Sequence, residues 1–168
     1  MKTRLQHNGH VNNNLGITLI ELLITLTLIA IIVVAATPSL TEALQKQRLT
    51  AGLDRLTADI LLARSESVKS GDHSIICPTS TGTACSKQAD WHRGWMVFSD
   101  TNKNGKFDRD EPLHRVQNRL HYIRAKAYNQ RLQIIFTKTG STLLSNTTII
   151  FCGTRNVNNA LSLLVNSA

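Results

Sequence analysis

Hydrophobic positions along this chain fall into three regimes, and each regime predicts a different kind of element. From Leu15 to Leu40, LGITLIELLITLTLIAIIVVAATPSL, twenty-six residues carry a single charge, that of Glu21. Within that run Ile17 to Thr37 spans twenty-one residues, about the length at which an α-helix crosses a bilayer. Beyond it the apolar positions thin to one face. Leu49, Leu53, Leu56, Ile60 and Ala63 recur at spacings of four, three, four and three, as in an amphipathic helix, with Arg55, Asp59 and Arg64 placed off that face. Together the two stretches predict one helix from near Ile17 to about Ser70. It should kink where Pro38 removes a backbone donor and stop at Gly71 and Asp72.

After residue 70 the period changes. Short apolar runs, HSIIC, GWMVFSD, LHRV, LHYIRA, LQIIFT, TTIIFC and ALSLLV, alternate with Gly, Asn, Asp, Ser and Thr, which predicts six or seven antiparallel strands over 71–168. Short connections favour a meander or small sandwich packed on the apolar face of the helix. The expected fold class is therefore α+β: a long N-terminal helix, half of it transmembrane in character (17–37) and half amphipathic (38–70), on a small antiparallel β-domain. Trp91 and Trp95 read as core anchors beside that sheet, given the area each buries.

The first run poses a chemical problem. A secretory signal has a basic front, an apolar stretch of about 7 to 15 residues and a small-residue cleavage site. Lys2 and Arg4 supply the front, but the apolar run is too long for removal after VVAA. A plain signal anchor leaves Glu21 unexplained, because an ionised carboxylate in hydrocarbon costs at least about 2.5 kcal/mol and is usually partnered. Cleavage between Gly16 and Ile17 would create an amine four residues from Glu21. One subunit's terminus would then meet its neighbour's glutamate in a bundle of apolar helices, and the pair would fix register.

The stretch LGITLIELLITLTLIAII closely resembles the type III signal of type IV pilins and type II secretion pseudopilins, which usually reads Gly, Phe, then Thr-Leu-Ile-Glu-Leu. Here Ile17 stands in place of Phe. The resemblance implies that residues 1–16 are a leader removed after Gly16 by a prepilin peptidase, which would also methylate Ile17, and that Pro38 marks the kink common in pilins. A second stretch, WHRGWMVFSDTNKNGKFDRDEPLHRV, followed by IIFTKTGST and TTIIFC, resembles the GspH/FimT group of minor pilins and pseudopilins. It implies a structural subunit and not an enzyme, made as a single-pass bacterial inner-membrane protein with a periplasmic ectodomain, whose partners are other pilin or pseudopilin subunits at the tip or shaft of a filament. A type IV pilus is the expected destination, and a type II secretion pseudopilus the alternative.

Charge changes this picture in one respect. The chain carries +8, and Leu113 to Ala168 holds no acid. Arg115, Arg119, Arg124, Lys126 and Arg131, interleaved with Tyr122 and Tyr128, could form a face for DNA or another polyanion. The alternatives are a solvated strand surface or a face meeting acidic neighbours in a filament. FimT-like proteins implicated in DNA uptake typically end in Gly-Arg-x-Arg, whereas this chain ends ALSLLVNSA. DNA binding therefore does not carry over residue by residue.

Two local motifs complete the sequence reading. DTNKNGKFDRDE places Asp100, Asn102 and Asn104, then Gly105, then Glu111 at the spacing of a calcium loop. Strand-like WMVF precedes it and Pro112 follows, so flanking helices are missing; the favoured reading is a β-hairpin loop turning at Asn104-Gly105, with Asp100 and Glu111 at its base. Cys77 and Cys85 bracket a turn-rich CPTSTGTAC and are candidates for a disulfide, with Cys152 left over or competing. The six histidines show no ligand spacing. No phosphate loop, dinucleotide fingerprint, Gly-x-Ser-x-Gly or His-Glu-x-x-His is present, so no cofactor, metal or catalytic residue is expected.

Overall fold

The computed structural model describes residues 17–143, 146–154 and 160–166, without the side chain of Pro38. Gly16, one half of the expected cleavage site, lies outside them. Helix α1 covers Leu19–Ser70. It begins with a side-chain cap, the Oγ1 of Thr18 accepting the backbone N–H of Glu21 at 3.3 Å. Gly71 follows its last residue in a left-handed conformation (φ +78°) and donates its N–H to the Ser67 carbonyl, the usual way a helix terminates.

The chain divides into two compact units, Met1–Leu40 and Thr41–Ala168. In the first, every described side chain from Ile17 to Leu40 is exposed. Its hydroxyls are satisfied locally: Thr25 and Thr27 donate to the carbonyls of Leu22 and Ile24, and Thr37 to that of Val33. A helix that turns its hydroxyls to its own backbone and shows apolar surface everywhere but at Glu21 is suited to lipid or to a bundle of like helices.

The second unit holds the remainder of α1 and seven strands among the described residues. These are β1 (His73–Pro78), β2 (Trp95–Asp100), β3 (Leu113–Gln117), β4 (Ile123–Ala127), β5 (Ile134–Phe136), β6 (Thr147–Gly153) and β7 (Ala160–Val165), with a short 3-10 turn at Trp91–Arg93. All pairings are antiparallel, in a four-stranded sheet of order β3-β2-β1-β5 and a three-stranded sheet of order β4-β6-β7. Only β1-β2-β3 and β6-β7 pair with their sequence neighbours. The chain leaves the first sheet at β4, returns at β5 and leaves again, so the simple meander does not form.

Leu49, Leu56 and Ala63 of α1 pack against Ile76, Trp95, Val97, Ile134 and Phe136 of the first sheet and Ile123, Ala125, Ile149 and Phe151 of the second. The helix approaches the second sheet closely: a Cβ on Gly52 would stand 3.1 Å from Ile123 and 3.4 Å from Leu120. The opposite face of the first sheet is also covered. Ile75, Cys77, Met96 and Phe98 form a second cluster with Cys85, Phe107 and Ile135, which is why WMVFSD is buried at every position rather than alternating.

One expectation for the helix needs correction. Asp59 is not off the packed face; it is 6 % exposed and accepts a hydrogen bond from Trp95 Nε1 at 2.8 Å. An apolar count misses such a position, because the indole N–H needs an acceptor and the helix supplies an acid for it.

Candidate functional site

Four places in the molecule carry the chemistry the sequence singled out. At the start of α1, Thr18 and Glu21 occupy the N-cap and third helical positions, the Thr-x-x-Glu arrangement of a capping box. Glu21 thus has a local function as well as its proposed partner. Its carboxylate sits in the first turn, where the helix dipole favours negative charge by about 0.3 to 1 kcal/mol. That is less than the cost of an ionised acid in hydrocarbon. The local effect reduces the need for an external cation without removing it. Ile17 and the exposed apolar residues that follow make this the one described helix long and apolar enough to cross a membrane.

The Asp100–Glu111 loop is organised by its own acids. Asp100 accepts the N–H groups of Asn104 (3.0 Å) and Gly105 (2.9 Å), while Glu111, 5 % exposed, accepts those of Thr101 (2.9 Å) and Asp108 (3.0 Å). Asn102 and Asn104 donate their side-chain amides to Asp108 at 2.9 and 2.7 Å, and these two bonds, Asn102's first, hold the Asp108 carboxyl below its ordinary value. Lys103 and Gly105 take left-handed conformations. Among the described residues no group of three or more His, Cys, Asp or Glu is arranged to hold an ion. The loop's visible product is packing: it delivers Phe107 edge-on to Phe98, ring centres 5.3 Å apart, over the outer face of the first sheet. Nothing in the apolar pattern marked Phe107 as a core residue.

Cys77 and Cys85 are joined in a disulfide, and Cys152 on β6 is free and half-buried. The bridge closes the 77–85 loop and brings Cys85 onto the same outer face that Phe107 covers. The Gly94-Trp95 pair that opens β2 has a steric reason. Gly94 has φ +122°, and a Cβ there would collide with the Gln117 carbonyl.

The five basic residues expected on one face do not share one. Arg115 lies on β3 in the first sheet, 3.5 Å from Asp59. Arg124 and Lys126 lie on β4 in the second sheet, with Lys126 3.4 Å from Asp90. Arg131 lies between β4 and β5 and lines neither of the grooves around residues 119–123. Arg119, Arg124 and Lys126 line a groove of about 540 Å³. An adjoining groove of about 280 Å³ brings in Arg48 and Arg55 of α1, which the sequence reading did not associate with the basic strands. Tyr122 stands between the two, with the Arg48 guanidinium 4.8 Å from its ring centre. Their proximity is a tertiary product; the residues are more than seventy positions apart.

Comparison with known proteins bears on both units. The family described as type II transport protein GspH matches residues 53–168, and the prokaryotic N-terminal methylation motif matches residues 11–37. Two crystal structures of the type IV minor pilin FimU from Pseudomonas aeruginosa share the fold at 18 % identity. One has a TM-score of 0.55 and covers 71 % of this chain and 82 % of that one. The other has a TM-score of 0.52, with coverages of 69 % and 84 %. No curated protein matches the chain.

Proposed function

This chain belongs to the GspH family, and from that premise we propose that it is a minor pilin-like subunit whose work is assembly. The observation that carries the proposal is the described part of the first unit: a capped helix, exposed and apolar from Ile17 to Leu40, with one carboxylate in its first turn. In the proposed sequence of events the precursor enters the inner membrane with its β-unit in the periplasm. A prepilin peptidase cuts after Gly16 and methylates Ile17. The freed amine of one protomer then pairs with Glu21 of the next. The helix exchanges lipid for neighbouring helices, both apolar, so packing and the buried ion pair supply the direction. Pro38 is the proposed bend.

A type IV pilus is the proposed destination, in keeping with the fold shared with FimU. A type II secretion pseudopilus is the second reading, favoured by the description of the matching family. Mass spectrometry of the protein purified from its own membrane tests the processing step. The expected mature chain begins at Ile17, one methyl group heavier than the bare sequence; a chain still beginning at Met1 overturns the proposal.

A further inference from the structure

Some basic side chains of the molecule are paired internally: Arg115 with Asp59, Lys126 and Arg93 with Asp90, and Lys69 with Glu66. Four arginines gather around the turn that holds Leu120 to Ile123. Arg48, Arg55, Arg119 and Arg124 are all exposed, and among the described residues none has an ion-pair partner. They flank the two joined grooves described above, with Tyr122 between them.

The centre of this band is pinned by backbone hydrogen bonds. Tyr122 has φ +63°, a left-handed conformation that a bulky side chain rarely adopts without a reason. Its carbonyl is held by the N–H of Thr154 at 3.2 Å, the turn is pinned by the Leu120 N–H on the His92 carbonyl at 2.9 Å, and Leu120 and Ile123 are buried on either side. The residue is 58 % exposed, and Arg48 lies over its ring. An exposed tyrosine held in place among guanidiniums has the composition of a protein-interface anchor. Guanidiniums also match carboxylates in a two-pronged geometry that ammonium groups do not.

We propose that this band is a docking surface for a carboxylate-rich segment of a different subunit in the assembly. The inference rests on the subunit reading above and adds the partner's chemistry. A second copy of this chain does not fit. Its overall charge is +8, and Asp59, Glu66, Asp90, Asp100, Asp108 and Glu111 are engaged within the fold. The remaining acids, Glu21, Glu42, Asp54, Asp72 and Asp110, are far apart in the sequence, each at least twelve positions from the next. The grooves are open and shallow, which suits an extended polypeptide better than an enclosed small molecule.

The test uses the full chain in nonionic micelles and a fluorescent peptide of alternating Glu and Gly, titrated by anisotropy at low salt. Joint Arg48→Glu, Arg119→Glu and Arg124→Glu should weaken binding by about tenfold or more. The same charge change at Lys87, Arg109 and Lys138, exposed and outside the band, should weaken it by less than about twofold, since distant charges act only through the screened field. Both triples should melt with the unaltered chain. Equal losses in the two triples, or none in either, overturn the proposal. So does an oligothymidylate of matched charge that binds more tightly than the peptide through the same arginines, since the band would then be reading phosphate. Filament incorporation separates this inference from its premise. Normal incorporation of Glu21→Gln counts against the subunit reading and leaves the peptide result standing. A band triple that binds the peptide as the unaltered chain does removes only the docking surface.

Discussion

The stretch from Ile17 to Leu40 and the unit from Thr41 onward treat apolar side chains in opposite ways. Leu19 is 78 % exposed and Ile31 66 %, whereas Leu56, Trp95 and Phe151 are fully buried. Where the packing partner is internal, the sequence has to specify shape: a glycine at 52 for close approach, an aspartate at 59 for one indole, a glycine at 94 for one carbonyl. Where the partner is external, it specifies little more than length, apolarity and one charged position. Thr25, Thr27 and Thr37 turn their hydroxyls back on the helix, so even the polar residues of that stretch present no outward requirement.

That contrast can be broken at several points. The largest expected effect is Glu21→Gln, because glutamine retains the capping-box geometry with Thr18 and removes only the charge. Filament incorporation, followed by immunoblot of sheared fractions, should fall by about tenfold or more if the proposed ion pair sets assembly, with membrane insertion unchanged. The melting temperature of the β-unit should not move. Next is Trp95→Ala, which empties a fully buried site and leaves Asp59 without its indole; a cost of about 3 to 5 kcal/mol is expected in denaturant titration of the full chain, with insertion unaffected. Removing the bridge with Cys77→Ser and Cys85→Ser should cost about 2 to 3 kcal/mol for so short a loop, read in the same titration.

The smallest effect concerns Asp108. Its folded pKa is lowered by Asn102 and Asn104, so its contribution is present above the unfolded carboxylate value of about 4 and is lost as pH falls through the lowered folded value. Asp108→Asn should therefore lower the melting temperature slightly at neutral pH, with the difference closing in strong acid.

Much of the architecture was legible in the residues. The spacing from Leu49 to Ala63 marked the packed half of α1, Gly71 marked its end, and each of the seven apolar runs became a strand, because period and turn chemistry are local properties. The partition into two sheets was not, since the passage from β3 to β4 and back to β5 depends on which distant strands bury each other's faces. Asp59 was misplaced because an acid is counted as polar until the indole it serves is known. The Asp100–Glu111 loop was recognised as a turn, but its delivery of Phe107 to Phe98 was invisible in a lone aromatic among charges. The basic residues were read as a linear run. Folding separated Arg115 from Arg124 and brought Arg48 to Tyr122, and no one-dimensional count could have made that exchange.

The Cys77–Cys85 staple has a consequence for the order of events during biogenesis. Thiols stay apart in a reducing interior and join where oxidants are supplied, so on the proposed periplasmic placement of the β-unit the 77–85 loop beside Met96 would be tied only after export. On that placement, cells lacking a thiol oxidase should accumulate chains whose 77–85 loop is untied and cut sooner by proteases.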